Sequence, residues 1–200
     1  MVKIALLGGT GGCGSAFLKY ALAANHSVVV QARTPSKVTV THENLHVVKG
    51  DGNSAEDVLA LCAGCDVVVS CAGGARFMET LAKNIVSACN AHNIDRCYFI
   101  TSLGMGGSSP TVRFFLGSLI SWGNVRDYEA ADKIILNAGF TVIRPTGLTV
   151  QGEPAGKYNA TAETGMGKGA LHKSDVGLFI CDEITKNEWG GKPVQLYKAK

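Results

Sequence analysis

The sequence predicts an α/β domain built on a doubly wound parallel sheet, a single unit spanning residues 1–200. Three observations predict it. Short apolar runs alternate with amphipathic helical stretches from end to end. The runs are continuous, as in Val28-Val29-Val30 and Val67-Val68-Val69, which suits strands covered on both faces. The first run enters a glycine turn, Gly8-Gly9-Thr10-Gly11-Gly12-Cys13-Gly14, that opens onto a helix.

Each element follows in order. Val2–Leu7 reads as the first strand, and the helix after the turn runs from Ser15 to Ala24. Ser27–Ala32 is the second strand. Leu45–Val48 is the third, followed by the turn Gly50-Asp51-Gly52. Ala55–Ala63 reads as a helix with Ser54 as its N-cap. Asp66–Ser70 is the fourth strand, Glu79–His92 a helix and Arg96–Thr101 the fifth strand. Asn124–Ala138 is a helix stopped by Gly139. Phe140–Arg144 is the sixth strand, closed by Pro145. Ser174–Thr185 is a late helix with Ser174 as N-cap, and Pro193–Tyr197 a final strand. Leu103–Gly123 and Thr146–Gly169 read as long loops. Both follow strands, so both belong on the ligand side, at the carboxyl ends of the sheet.

Composition narrows the function classes. Apolar residues make up 46% and charged residues 18%, which is ordinary for a globular protein. The net charge of +3 is small and the basic residues are scattered, so no nucleic-acid partner is expected. No stretch reaches transmembrane length, so no membrane partner is expected either. The N-terminal apolar run is too short for a signal peptide. An odd count of seven cysteines in mostly apolar surroundings points to free thiols in a reducing cytoplasm. The chain is compatible with a monomer. Cys62-Ala63-Gly64-Cys65 is a single Cys-x-x-Cys at a helix C-terminus, where the dipole disfavours thiolate, and it reads as structural. The five histidines show no ligand spacing, so no metal is expected.

The residues that carry chemistry sit at strand ends. Gly8 allows a tight turn off the strand, Gly11 a close approach of backbone to phosphate, and Gly14 close packing of helix on sheet. With Thr10, Gly12 and Cys13 they form a cradle whose free N–H groups suit a dinucleotide pyrophosphate. After the second strand, where an acid would select NAD, stands Arg33, with Lys37 nearby. A guanidinium there suits a 2′-phosphate, so NADP(H) is favoured. Asp51 has two open readings: an acceptor for the adenine amine, or a cap on the turn into the next helix. Cys71, Ala72 and Gly73 follow the fourth strand, where small residues let backbone approach the nicotinamide-side ribose. Thr101 and Ser102 end the fifth strand, beside the expected nicotinamide. Tyr128 and Lys133 invite comparison with the Tyr-x-x-x-Lys pair of many short-chain dehydrogenases. Their five-residue step puts them about 140° apart on a helix, so they do not share a face. Phe114, Phe115 and Trp122 are either an apolar wall for a planar substrate or a small core under the loop.

Taken together these residues resemble the atypical short-chain dehydrogenase/reductases with a bare Rossmann domain. The resemblance rests on the glycine turn, Arg33, Gly50-Asp51, Lys83-Asn84-Ile85-Val86 and Thr101-Ser102. It continues through Lys133 to Gly139, Arg144-Pro145 and Lys173-Ser174-Asp175-Val176-Gly177. Pro154-Ala155-Gly156-Lys157-Tyr158 and Gly190-Gly191 extend it to the branch that reduces flavins and biliverdin. That resemblance implies NADPH bound along the strand ends, its nicotinamide near Ser102 and Pro145. It implies hydride transfer to a flat conjugated acceptor: a flavin, a quinone or a linear tetrapyrrole. Ser102 is the matching catalytic residue. Gly147 stands where the branch has a histidine, and Gly73–Glu79 is shorter than its counterpart. Two other activities occur on such domains: a non-catalytic NADP(H)-binding regulator or assembly factor, and an isomerase or epimerase.

Overall fold

In the computed structural model, residues 1–103, 105, 121–150, 156, 158–163 and 169–199 are described. Strand β1 (Lys3–Leu7) leads through the glycine turn into helix α1 (Gly12–Ala23). The helix starts three residues before the expected Ser15, because Gly11 takes the cap position with extended backbone. Then come β2 (Ser27–Ala32), a 3-10 turn (Pro35–Lys37), β3 (Leu45–Lys49) and α2 (Ala55–Cys62). Ser54 caps α2 as its sequence position predicts, its hydroxyl accepting from Asp57 N at 3.1 Å. The chain continues with β4 (Val67–Ser70), α3 (Met78–His92), β5 (Cys97–Ile100), α4 (Trp122–Asn137) and β6 (Thr141–Pro145).

The region expected to be one loop after β6 holds two short strands, β7 (Leu148–Thr149) and β8 (Tyr158–Thr161). Neither has an apolar run long enough to mark a strand. A third, β9 (Leu171–His172), pairs with β7 and leads into α5 (Lys173–Lys186). The cap of α5 is His172 rather than Ser174. Its Nδ1 accepts from Ser174 N at 3.3 Å, and the Ser174 hydroxyl lies 2.6 Å from the same nitrogen. Strand β10 (Pro193–Lys198) closes the fold.

The main sheet has eight strands in the order β3-β2-β1-β4-β5-β6-β10-β8. All neighbours are parallel except the edge strand β8, which runs antiparallel to β10. The chain reverses direction between β1 and β4, and that is where such sheets open a crevice at their carboxyl ends. Alternation along each strand feeds two cores. Ile4 and Leu6 pack with Phe17, Leu18, Phe179 and Ile180 of α1 and α5. Ala5 and Leu7 pack with Leu61, Leu81, Ile85 and Ile135 of α2, α3 and α4. Each fully buried Leu, Ile or Phe contributes about 1.5–3 kcal/mol. Among the described residues no helix is long and apolar enough to cross a membrane.

Candidate cofactor-binding site

The crevice lies over the carboxyl ends of β1, β2, β3 and β4. A cavity of about 420 Å³ there is lined by Gly8, Thr10 and Gly11 of the turn and by Arg33, Asp51, Cys71, Ala72 and Gly73. Those eight predicted residues are brought together. Two of the glycines are obligatory for its shape. Gly8 has φ +77°, and a Cβ on it would collide with the backbone of Cys71 and Ala72. A Cβ on Gly14 would collide with the Gly8 carbonyl, so α1 could not seat against the turn. The first turn of α1 carries no acid and no side-chain cap. The N–H groups of that first turn therefore have no side-chain partner, and the positive end of the helix dipole lies at the turn that borders the crevice.

Cys13 sits behind the turn, where burial pushes its thiol up to about 11. Cys13, Gly14 and Gly12 shape the turn without lining the cavity. Arg33 is exposed at the end of β2 and forms no ion pair among the described residues. Lys37 lies in the 3-10 turn beyond it, outside the cavity wall. Of the two readings of Asp51, the structure shows the cap on the turn. Asp51 faces the cavity, and its Oδ1 accepts from Asn53 N at 3.0 Å in the turn before α2.

This cradle, closed to any Cβ at Gly8, lined by backbone and followed by the exposed cation of Arg33, fits a phosphorylated dinucleotide. The pattern of the NAD(P)H-binding family matches residues 8–187. The chain belongs to that family.

Solved structures share the whole architecture. ChuY, an anaerobillin reductase from Escherichia coli O157:H7, superposes with TM-score 0.84 at 23% identity, over 99% of this chain and 98% of that one. A short-chain dehydrogenase/reductase from Veillonella parvula in complex with NADP gives 0.84 at 18%, over 98% and 94%. A Rossmann-fold NAD(P)-binding family protein from Shigella flexneri gives 0.80 at 21%, over 99% and 94%.

On the other side of this NAD(P)H-binding domain, the tips of β5 and β6 are built differently. Thr101 N donates to Ile143 O at 2.8 Å and Leu103 N to Pro145 O at 3.1 Å, so the two strands stay paired past their ends. That pairing sets Ser102 beside Pro145. The Thr101 hydroxyl turns away into the core, donating to Asp132 Oδ1 at 3.0 Å. Arg144 grips the same carboxylate twice, Nε to Oδ1 at 3.0 Å and Nη2 to Oδ2 at 2.6 Å. Asp132 is 1% exposed, Arg144 4% and Thr101 5%, so this is a buried pair with satisfied geometry. Trp122 opens α4 at 47% exposure. Gly147 accepts from Leu171 N through its carbonyl at 2.9 Å, and a Cβ there would meet only Ala170 at ordinary distance. Phe114 and Phe115 lie outside the described residues.

Sequence reasoning missed three side chains here. Asp132 is one of them. Its signal was an acid on the stripe Val125, Tyr128, Asp132, Ile135, at helical spacing. Asp127 is the second: its carboxylate accepts from Met78 N at 2.9 Å and Glu79 N at 3.0 Å, capping α3 from a neighbouring helix. Tyr128 is the third, because only its pairing with Lys133 was considered. Lys133 is exposed, while the Tyr128 phenol accepts from Gly74 N at 3.2 Å at the rim of the crevice. Desolvation raises that phenol, and the Gly74 N–H partly offsets it. Cys62 is buried between α2 and α3, which pushes its thiol up to about 12.

Proposed function

We propose that this domain is an NADPH-dependent reductase that passes hydride to a flat conjugated acceptor, a flavin, a quinone or a linear tetrapyrrole. The observation that carries the cofactor choice is Arg33, a cation with no partner among the described residues at the β2 tip. An acid there would select NAD through the ribose hydroxyls; a guanidinium selects the 2′-phosphate.

The bound nucleotide supplies the hydride. The chain's own residues do the positioning. The turn at Gly8–Gly11 binds the pyrophosphate through backbone N–H groups. Cys71, Ala72 and Gly73 offer side chains small enough for the ribose to approach the β4 tip. Ser102 and Pro145, adjacent at the β5 and β6 tips, flank the nicotinamide, with the Ser102 hydroxyl left to orient the carboxamide or the acceptor. Trp122 supplies an apolar wall. Among the described residues no tyrosine–lysine pair stands ready to deliver a proton, which suits an acceptor whose reduced form is protonated by water. Gly147 carries no side chain where a histidine would narrow the pocket, which suits a bulky acceptor.

The test is loss of NADPH absorbance with flavins, quinones and tetrapyrroles as acceptors. Turnover with at least one planar class supports the reading. Tight NADPH binding with no turnover on any of them would point instead to a nucleotide-sensing regulator.

A further inference from the structure

The roles of Gly8, Gly11 and Gly14 leave one glycine of the turn unexplained. Gly12 is the first residue of α1, has no positive φ and does not line the crevice. What it meets is a lysine from the far end of the sequence. A Cβ on Gly12 would collide with Lys173 Cδ, with Lys173 Cβ and Cε each 3.5 Å away. Lys173 is the first residue of α5. Helices α1 and α5 run side by side in the same direction, Gly12 against Lys173 and Ala16–Phe17 against Gly177. The lysine stem therefore crosses the missing side chain of Gly12 and carries its charge to the first turn of α1.

A cation is out of place there. Two helix N-termini already present positive ends, and a lysine at either one is unfavourable. No acid in the first turn of α1 offsets it. Asp175 supplies an acid to the first turn of α5, where it accepts from Gly156 N at 3.0 Å. Among the described residues Lys173 forms no ion pair. Its field reaches the thiol of Cys13 inside the turn. The α1 end, unlike the α5 end, has no acid of its own in its first turn to balance this cation.

We infer that Lys173 clamps the pyrophosphate of the bound nucleotide, and that position 12 is glycine to let the lysine across. This rests on the cofactor reading above. It also divides labour between two cations. Arg33 reads the 2′-phosphate, which only NADP(H) has, whereas Lys173 holds the pyrophosphate, which both nucleotides share.

Titration of NADPH and NADH into wild type, Lys173→Ala, Gly12→Ala and the double variant tests it. Lys173→Ala weakens both nucleotides by the same factor, about tenfold, with a shallower salt dependence. Gly12→Ala alone displaces the lysine and weakens both. In the Lys173→Ala background the added methyl meets only the remaining Cβ, 3.5 Å away at ordinary contact distance, and costs no further affinity, a non-additivity that loss of helix structure would not produce. Far-UV circular dichroism confirms that each variant folds. Unchanged constants in Lys173→Ala, a loss confined to NADPH, or additive losses in the double variant would overturn the inference. A wild-type protein that binds neither nucleotide overturns the cofactor reading itself, before any variant is compared.

Discussion

The two halves of the sheet end in opposite ways. The tips of β1 and β4 are held by backbone and by missing side chains: Gly8 against Ala72, Gly14 against the Gly8 carbonyl. The tips of β5 and β6 are held by charge: one carboxylate, Asp132, gripped by Arg144 and Thr101. The first half can approach a phosphate because it presents N–H groups and no bulk. The second must carry Ser102 and Pro145 at a set separation, and a buried bidentate pair supplies that rigidity. The difference teaches where each half is vulnerable. Adding an atom breaks the first, and removing a charge breaks the second.

The largest effect is therefore expected at the ion pair. Asp132→Ala leaves Arg144 buried without a counter-charge and should cost about 3–5 kcal/mol of stability. Denaturant unfolding reads it as a lower midpoint at unchanged slope. The double change Asp132→Leu with Arg144→Met removes both charges and should recover most of that loss. Failure of the double variant to recover would mean that the pair supplies more than mutual neutralisation.

The same contrast explains what the sequence showed of the molecule. The β1 to β4 half was legible because glycines at steps of three and continuous valine runs are local signals with one physical reading. The seven expected strands, the five expected helices and the Ser54 cap follow from such signals. The charge-held half was not legible. Asp132 and Arg144 lie twelve residues apart on different elements, and nothing local says that they meet. Asp127 capping α3 and Tyr128 receiving Gly74 N are equally non-local. The short strands β7, β8 and β9 escaped notice because pairing, not an apolar run, makes them strands. Lys173 sits inside a motif that the resemblance singled out, yet its neighbour in space, Gly12, is the far end of the sequence.

The second prediction concerns the glycine half. Arg33→Ala should weaken NADPH about tenfold and leave NADH unchanged, because only the 2′-phosphate loses a charge-assisted contact. Paired titrations decide it. Equal affinities for the two nucleotides in the wild type would remove Arg33 from the site.

A smaller effect is expected at Ser102. General acid–base catalysis contributes about 10²–10⁴-fold, so a serine that only orients its neighbours should cost less than about tenfold when removed. Ser102→Ala should lower kcat modestly with NADPH binding intact. Trp122→Ala should raise KM for a flavin more than for a small quinone, since aromatic contact scales with the ring area it covers. Complete loss of turnover in Ser102→Ala would make the hydroxyl a proton relay and overturn positioning as the mechanism.

The smallest effect on function is expected where neither half is touched. Cys62 and Cys65 lie at the C-terminal end of α2, buried in the core with Cys89 and Cys97. Among the described residues no cluster there has the geometry of a metal site. Replacing both with alanine should leave NADPH affinity and turnover unchanged, and zinc bound stoichiometrically to the wild type would contradict this. The thiols should instead show themselves in alkali. Burial lifts Cys62 from 9.0 to about 12 and Cys13 from 9.0 to about 11. The unfolded chain therefore loses these protons first as pH rises. Below the unfolded value both states keep them, and the thiols add no pH dependence. Between 9.0 and about 12 the unfolded state binds fewer protons than the native state, so stability falls as pH rises. Cys62→Ala should flatten that decline, while Cys13, still in place, keeps part of it. Unfolding midpoints that decline equally in wild type and Cys62→Ala would show that this thiol does not set the alkaline limit.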